Sequence, residues 1–252
     1  MDLNCDVGES FGAYRMGDDA SLLRHVTSAS IACGLHAGDP GTMRRTLALA
    51  ADLGVAVGAH PGFPDLAGFG RRAMDLSPDE VRDLVVYQVG ALAAFATARG
   101  VALQHVKPHG ALYNIAAARA PIAEAIARGV AEVDPGLVMF ALAGSVLVLA
   151  ARAAGLRVCE EGFIDRRYAA DGSLVDRRQP GAVIDEPSAC VRQALALARE
   201  RSVMSASGVR VNVAVDTLCI HGDTPGAAAL AQQVRAALEA EGVAVAAPGR
   251  RP

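Results

Sequence analysis

The sequence predicts an α/β fold: one (β/α) barrel domain over residues 1–252 with about seven parallel strands. Three observations point to it. The 252 residues match the roughly 250 that such a barrel needs. Short apolar, β-branched runs alternate with longer alanine- and leucine-rich segments, as in a parallel sheet covered by helices. Nearly every apolar run also ends in ionisable residues, which fits strands whose carboxyl ends share one side. An open doubly wound sheet is the main alternative. No G-x-G-x-x-G follows a strand and no G-x-x-x-x-G-K-[ST] is present, so the usual dinucleotide and P-loop fingerprints are missing.

Strands are expected near 1–5, 28–33, 55–59, 103–107, 137–142, 157–160 and 211–220. Asp39-Pro40, Ser77-Pro78 and Thr224-Pro225 each place a capping residue before a proline at the first helical position. Ser77 with Glu80 fits a capping box. Gly54, Gly100 and Gly242 stand where helices should stop, because glycine accepts the left-handed C′ conformation. The long irregular stretch at about 161–185 is rich in Asp, Arg and Gly, and a loop of that length in a compact domain is usually functional.

Hydrophobic residues make up 52% and charged residues 20%, enough for a sizeable core and against disorder. A net charge of −3 offers no basic footprint for nucleic acid, and 4% aromatics without Trp offer few stacking platforms. The five cysteines are odd in number and form no C-x-x-C pair, which reads as reduced, cytoplasmic usage. The N-terminus has no basic and apolar leader pattern, and no run of about 18 uninterrupted apolar residues predicts a membrane span.

The first run ends in Asn4, Asp6 and Glu9, the second in His36 and Asp39, and the third in His60 and Asp65 followed by Arg71 and Arg72. The fourth carries His105, Lys107 and His109; the sixth Glu160, Glu161 and Asp165; the seventh His221 and Asp223. A barrel brings such groups together at one mouth although they are distant in sequence. Lys107 is the single lysine among 24 basic residues. Arginine supplies positive charge everywhere else, so a compact, titratable ammonium between two histidines marks a chemical role. In an extended segment His105, Lys107 and His109 project to one face. The His105-x-x-x-His109 spacing would suit zinc on a helix, but Pro108 argues against a helix there. Asp6, His36, His60, His109 and His221 could still meet around a metal, with imidazole and carboxylate ligands. No compact motif supports that, and no metal ligand is assigned.

Read in order, these segments resemble the LamB/YcsF family. They are Asp2-Leu-Asn-Cys-Asp-Val-Gly-Glu-Ser-Phe-Gly12, Ile31-Ala-Cys-Gly-Leu-His-Ala-Gly-Asp-Pro40, Gly58-Ala-His-Pro61, Gly68-Phe-Gly-Arg-Arg72, Val106-Lys-Pro-His-Gly-Ala-Leu-Tyr-Asn114, Asp165-Arg166 with Tyr168 and Asp171-Gly-Ser-Leu174, and Cys219-Ile-His-Gly-Asp223. Leu35 stands where the family usually has Phe, and Gly62-Phe63 where Ser-Tyr is common. The resemblance implies a barrel related to glycoside hydrolase and polysaccharide deacetylase barrels. It implies the A subunit of an ATP-dependent 5-oxoprolinase, which opens 5-oxoproline to L-glutamate with hydrolysis of ATP, working with subunits B and C. Within that implied reaction, Lys107 would stabilise a developing oxyanion. Asp6 or Glu9 would orient or deprotonate water, with His60 or His109 as proton shuttle. Arg71 or Arg72 would take the substrate carboxylate. Asn4, His36, Asp39, Asp165, His221 and Asp223 complete the expected binding residues. Two other readings stand beside it: a metal-dependent amide or carbohydrate deacetylase, and a non-catalytic subunit that binds 5-oxoproline. The sequence leaves homo-oligomerisation open.

Overall fold

In the computed structural model, which describes residues 1–249, seven parallel strands close into a barrel. They are β1 (Asp2–Val7), β2 (Ser28–Ala32), β3 (Ala56–His60), β4 (His105–Val106), β5 (Val138–Leu142), β6 (Arg157–Phe163) and β9 (Thr217–Ile220). β9 closes the ring: Asn4 pairs with Cys219 on one side and Gly162 with Leu218 on the other. β7 (Ser202–Met204) and β8 (Arg210–Asn212) form a separate antiparallel hairpin. The expected strand at 211–220 is therefore two elements, with Val213–Asp216 crossing between them. β4 is shorter than expected: residues 103, 104 and 107 fall outside it, and at its carboxyl end Pro108 has no N–H to donate.

Helices wrap the barrel: α1 (Asp19–Leu22), α2 (Pro40–Asp52), α3 (Pro78–Arg99), α4 (Gly110–Ala118), α5 (Ala120–Val133), α6 (Val146–Ala153), α7 (Pro187–Leu195) and α8 (Ala227–Ala240). Asp39 caps α2, and Ser77 with Glu80 forms the capping box of α3. Gly54, Gly100 and Gly242 all take positive φ just past their helices, as expected. The Thr224-Pro225 start is corrected: Gly226, at φ 80°, occupies the N-cap of α8, so Pro225 lies outside the helix.

The main hydrophobic core lies between barrel and helices. In β1, Leu3, Cys5 and Val7 belong to it, while the alternating Asp2, Asn4 and Asp6 engage groups inside the barrel. The interior apolar cluster is small, limited to Val138, Phe140 and Cys159. Polar side chains fill much of the rest. By length and composition α3 could cross a bilayer. Here its Val81, Val85, Val89, Leu92 and Ala96 are buried, and it packs on α5.

Candidate active site

Starting at the amino ends of the strands, Asp2 accepts hydrogen bonds from Thr27, Ser28 and Thr217 hydroxyls at 2.6, 2.8 and 2.5 Å. One layer up, the Asn4 amide donates to Thr217 Oγ1 at 2.7 Å and to Glu161 Oε1 at 2.9 Å. Tyr113 donates to the other oxygen of Glu161 at 2.7 Å. Above them lies Lys107, 2% exposed. Its Nζ is 2.9 Å from Asp6 Oδ1, 2.9 Å from Glu161 Oε1, 3.0 Å from Asn4 Oδ1 and 2.9 Å from Cys219 Sγ. Burial works against the ammonium, but Asp6, Cys219 and Glu161 outweigh it and hold the Lys107 pKa well above its ordinary value. Burial likewise pushes Asp6 up, yet His60, Lys107 and His221 outweigh it and keep its carboxyl far below the usual range. Lys107 is thus a fixed positive charge, with its ammonium 5.5 Å from the centre of the Phe163 ring.

Three histidines sit beside it. His60 Nδ1 is 2.7 Å from the Lys107 carbonyl and His109 Nε2 is 2.7 Å from the Phe69 carbonyl, so both nitrogens must donate. The remaining nitrogens, His60 Nε2 and His109 Nδ1, face each other at 2.9 Å. Asp6 Oδ2 is 3.5 Å from His60 Nε2. His36 stacks on His109 with ring centres 3.9 Å apart, and both its nitrogens are buried without a hydrogen-bond partner. Burial pushes His36 and His109 well below the ordinary histidine value, and lowers His60 as well. Glu9 is also buried; burial, then the Asp6 and Asp223 charges, raise its pKa well above normal.

Asp6, His60, Lys107 and His109 floor a cavity of about 880 Å³. Its walls come from β3, α4, the turn at Arg71-Arg72 and the loop after β6, with Arg166, Arg177 and Arg178. The loop is anchored: Phe163 N–H donates to the fully buried Tyr168 hydroxyl at 2.7 Å, and Gln193 donates to the Phe163 and Arg166 carbonyls. Gly70, at φ 62°, is required, since a Cβ there would lie 2.7 Å from His36 and 2.8 Å from His109.

Most of the expected residues meet here. Asp6, His60, Lys107, His109, Arg71, Arg72 and His221 border the cavity, with Asn4, Glu9, His36 and Asp165 packed around its floor. Arg71 pairs with Asp223 at 2.7 Å, and His221 with Asp165 at 2.7 Å. Arg72 is largely exposed and engaged by Asp65. Asp39 stands apart: it caps α2, accepting from Thr42 and Gly12 N–H groups, and lines a different hollow. His105 lies below the site, bonded to Ser30 and stacked on Phe140. Glu161, Tyr113, Cys219 and Arg166 were not among the expected site residues. Glu161 belongs to the sixth cluster, and the alternation of β6 is the signal that could have turned it inward; Arg166 lies in the loop beyond that strand, next to Asp165.

Fold and site together define a parallel β/α barrel with a titratable cavity at the carboxyl ends of its strands, where barrel enzymes carry their chemistry. The profile of the LamB/YcsF family matches residues 1–251, and the chain belongs to that family. It is 56% identical to the A subunit of 5-oxoprolinase from Bordetella pertussis over 245 residues, 97% of each chain. A crystal structure of the "lactam utilization protein" of Thermus thermophilus superposes with TM-score 0.93 at 50% identity, covering 98% of this chain and 99% of that one. The catalytic domain of a peptidoglycan N-acetylglucosamine deacetylase from Eubacterium rectale shares the fold alone, with TM-score 0.51 and 12% identity over 98% of this chain and 87% of that one.

Proposed function

We propose that this chain is the A subunit of an ATP-dependent 5-oxoprolinase, acting in the cytoplasm with subunits B and C. The observation that carries the reading is Lys107, a permanently charged ammonium at the floor of a cavity whose walls hold arginines. A lactam carbonyl is a poor electrophile and its five-membered ring recloses readily. Phosphorylation of the amide oxygen by ATP supplies a leaving group and makes ring opening favourable. Lys107 stabilises negative charge on that oxygen from a preorganised position. Arg71 and Arg166 line the cavity and offer forks for the substrate carboxylate or the phosphate. Arg72 is less suited, since Asp65 already occupies its guanidinium. Asp6, whose carboxyl is held far below the usual range, serves as the electrostatic partner of Lys107. Five free, buried thiols suit the reducing cytoplasm. ATP is a co-substrate of the assembled enzyme.

The test is 5-oxoproline-dependent phosphate release by the reconstituted three-subunit complex with Lys107→Arg in this chain. An arginine fork cannot occupy the tetrahedral contacts of the ammonium, so turnover should fall at least about 100-fold, the size of effect seen when one oxyanion contact is lost. Near-normal coupled turnover would overturn the role.

A further inference from the structure

Proton counting at the histidine pair leaves a gap. His60 Nδ1 and His109 Nε2 each need a proton for their carbonyl acceptors. The 2.9 Å contact between His60 Nε2 and His109 Nδ1 needs one cation between two lone pairs. Two neutral imidazoles carry two protons, and both are already committed. Beside this contact lie two more groups with unused donor atoms. His36 has no partner on either nitrogen, and Glu9 Oε1 is 3.8 Å from His109 Nδ1 and 3.9 Å from His36 Nε2, beyond hydrogen-bond distance of both.

We propose that His60 Nε2, His109 Nδ1 and Glu9 bind one divalent transition-metal ion, with His36 as the fourth donor. One donor atom from each residue lies within 4.8 Å of the others. Ligands about 2.0–2.1 Å from a tetrahedral ion stand about 3.3 Å apart, so separations of 2.9 to 3.9 Å bracket what is needed. The outward N–H groups of His60 and His109 donate to backbone carbonyls, the outer-shell arrangement that fixes the tautomer of metal-bound histidine. His36 must turn out of its stack on His109, because parallel rings cannot aim lone pairs at one point. No hydrogen bond holds it back, and Gly62 leaves the space: a Cβ there would lie 2.6 Å from His36 Nδ1. Imidazoles with one carboxylate suit zinc, cobalt, nickel, iron or manganese. The neighbouring trio Asp6, Cys219 and His221 is a poorer site, because the Lys107 ammonium is 2.9 Å from both Asp6 and Cys219 and repels a cation.

The experiment uses the full chain without substrate, ATP or partners, so its result is independent of the 5-oxoproline reading. Purified protein is stripped with chelator, dialysed against Co²⁺ or Zn²⁺, and analysed for metal content and visible absorption. One ion per chain is expected, with cobalt d–d bands, no near-ultraviolet sulfur charge-transfer band, and a higher Tm. Glu9→Gln and His109→Gln should each weaken binding at least about tenfold, while His25→Gln, away from the site, should not change it. No stoichiometric ion in the wild-type chain overturns the proposal without recourse to any variant. So does a sulfur charge-transfer band, which would place the ion at Cys219, or unchanged binding in folded His109→Gln. Histidine ¹⁵N spectra showing an imidazolium shared by His60 and His109, indifferent to added metal, would also overturn it in favour of a proton.

Discussion

Asp165 remains a carboxylate although only 2% exposed, and the reason is one neighbour. Burial raises its pKa, but the imidazole of His221 at 2.7 Å, then the arginines, outweigh that and hold it below the ordinary aspartate value. A depressed folded-state pKa means that the unfolded chain binds more protons in the acid range. The pair therefore contributes stability above the unfolded value near 3.8, and loses it as pH falls through the lower folded value. Asp165→Asn should cost about 2 kcal/mol at pH 7, within the range for a hydrogen bond to a charged group. The deficit should shrink steadily below pH 4. Urea midpoints of both proteins from pH 7 to pH 3 check this, and a constant deficit would show that packing, not ionisation, matters there. At this scale the sequence was informative where polar types are rare. A lone lysine stood out, and it lies at the centre of the site. Glu161 did not stand out, because one glutamate beside another reads as surface charge until the strand alternation turns it inward.

Within the elements, a small residue in a strand can be set by a large side chain on the neighbouring strand. Gly58 in β3 is paired with His105 in β4, and a Cβ on it would sit 2.3 to 2.4 Å from the His105 ring. That ring cannot retreat easily, since it bonds Ser30 at 3.2 Å and stacks on Phe140 with centres 4.2 Å apart. Gly58→Ala should therefore destabilise by about 1–3 kcal/mol, the usual cost of overpacking. Gly90 supplies the contrast. It sits inside α3 with open space around its missing Cβ, so Gly90→Ala should stabilise by about 0.5–1 kcal/mol. Guanidinium midpoints should move in opposite directions, and a stabilised Gly58→Ala would refute the packing argument. Helix starts were readable where a capping side chain precedes proline directly on the helix, as at Asp39 and Ser77. Thr224-Pro225 misled because Gly226 intervenes in a left-handed turn, a backbone choice that the dipeptide alone does not encode. The run at 211–220 misled because two short strands joined without a glycine or proline break read as one.

Across the whole molecule, closure depends on β9, which pairs with β1 and β6 at once. The same seam is stitched by side chains: Thr217 donates to Asp2 and accepts from Asn4, and Asn4 donates to Glu161. Outside the barrel, a single hydrophobic cluster runs from Leu3 to Leu238. No group of strands can leave without exposing part of that cluster and opening the ring, so residues 1–249 should unfold as one unit. Without tryptophan, tyrosine emission is the tertiary probe, and Tyr113 and Tyr168 are buried on the β5–β6 side of the site. In guanidinium, tyrosine emission and far-ultraviolet circular dichroism should give one coincident transition. Thr217→Val keeps the shape but removes the donor to Asp2 and the acceptor for Asn4, which should cost about 2 kcal/mol. If the barrel is one cooperative unit, both probes will shift together to a lower midpoint. If the seam joins two independently stable halves, the tyrosine signal will separate from the dichroism, first in Thr217→Val and then in the wild type at acid pH.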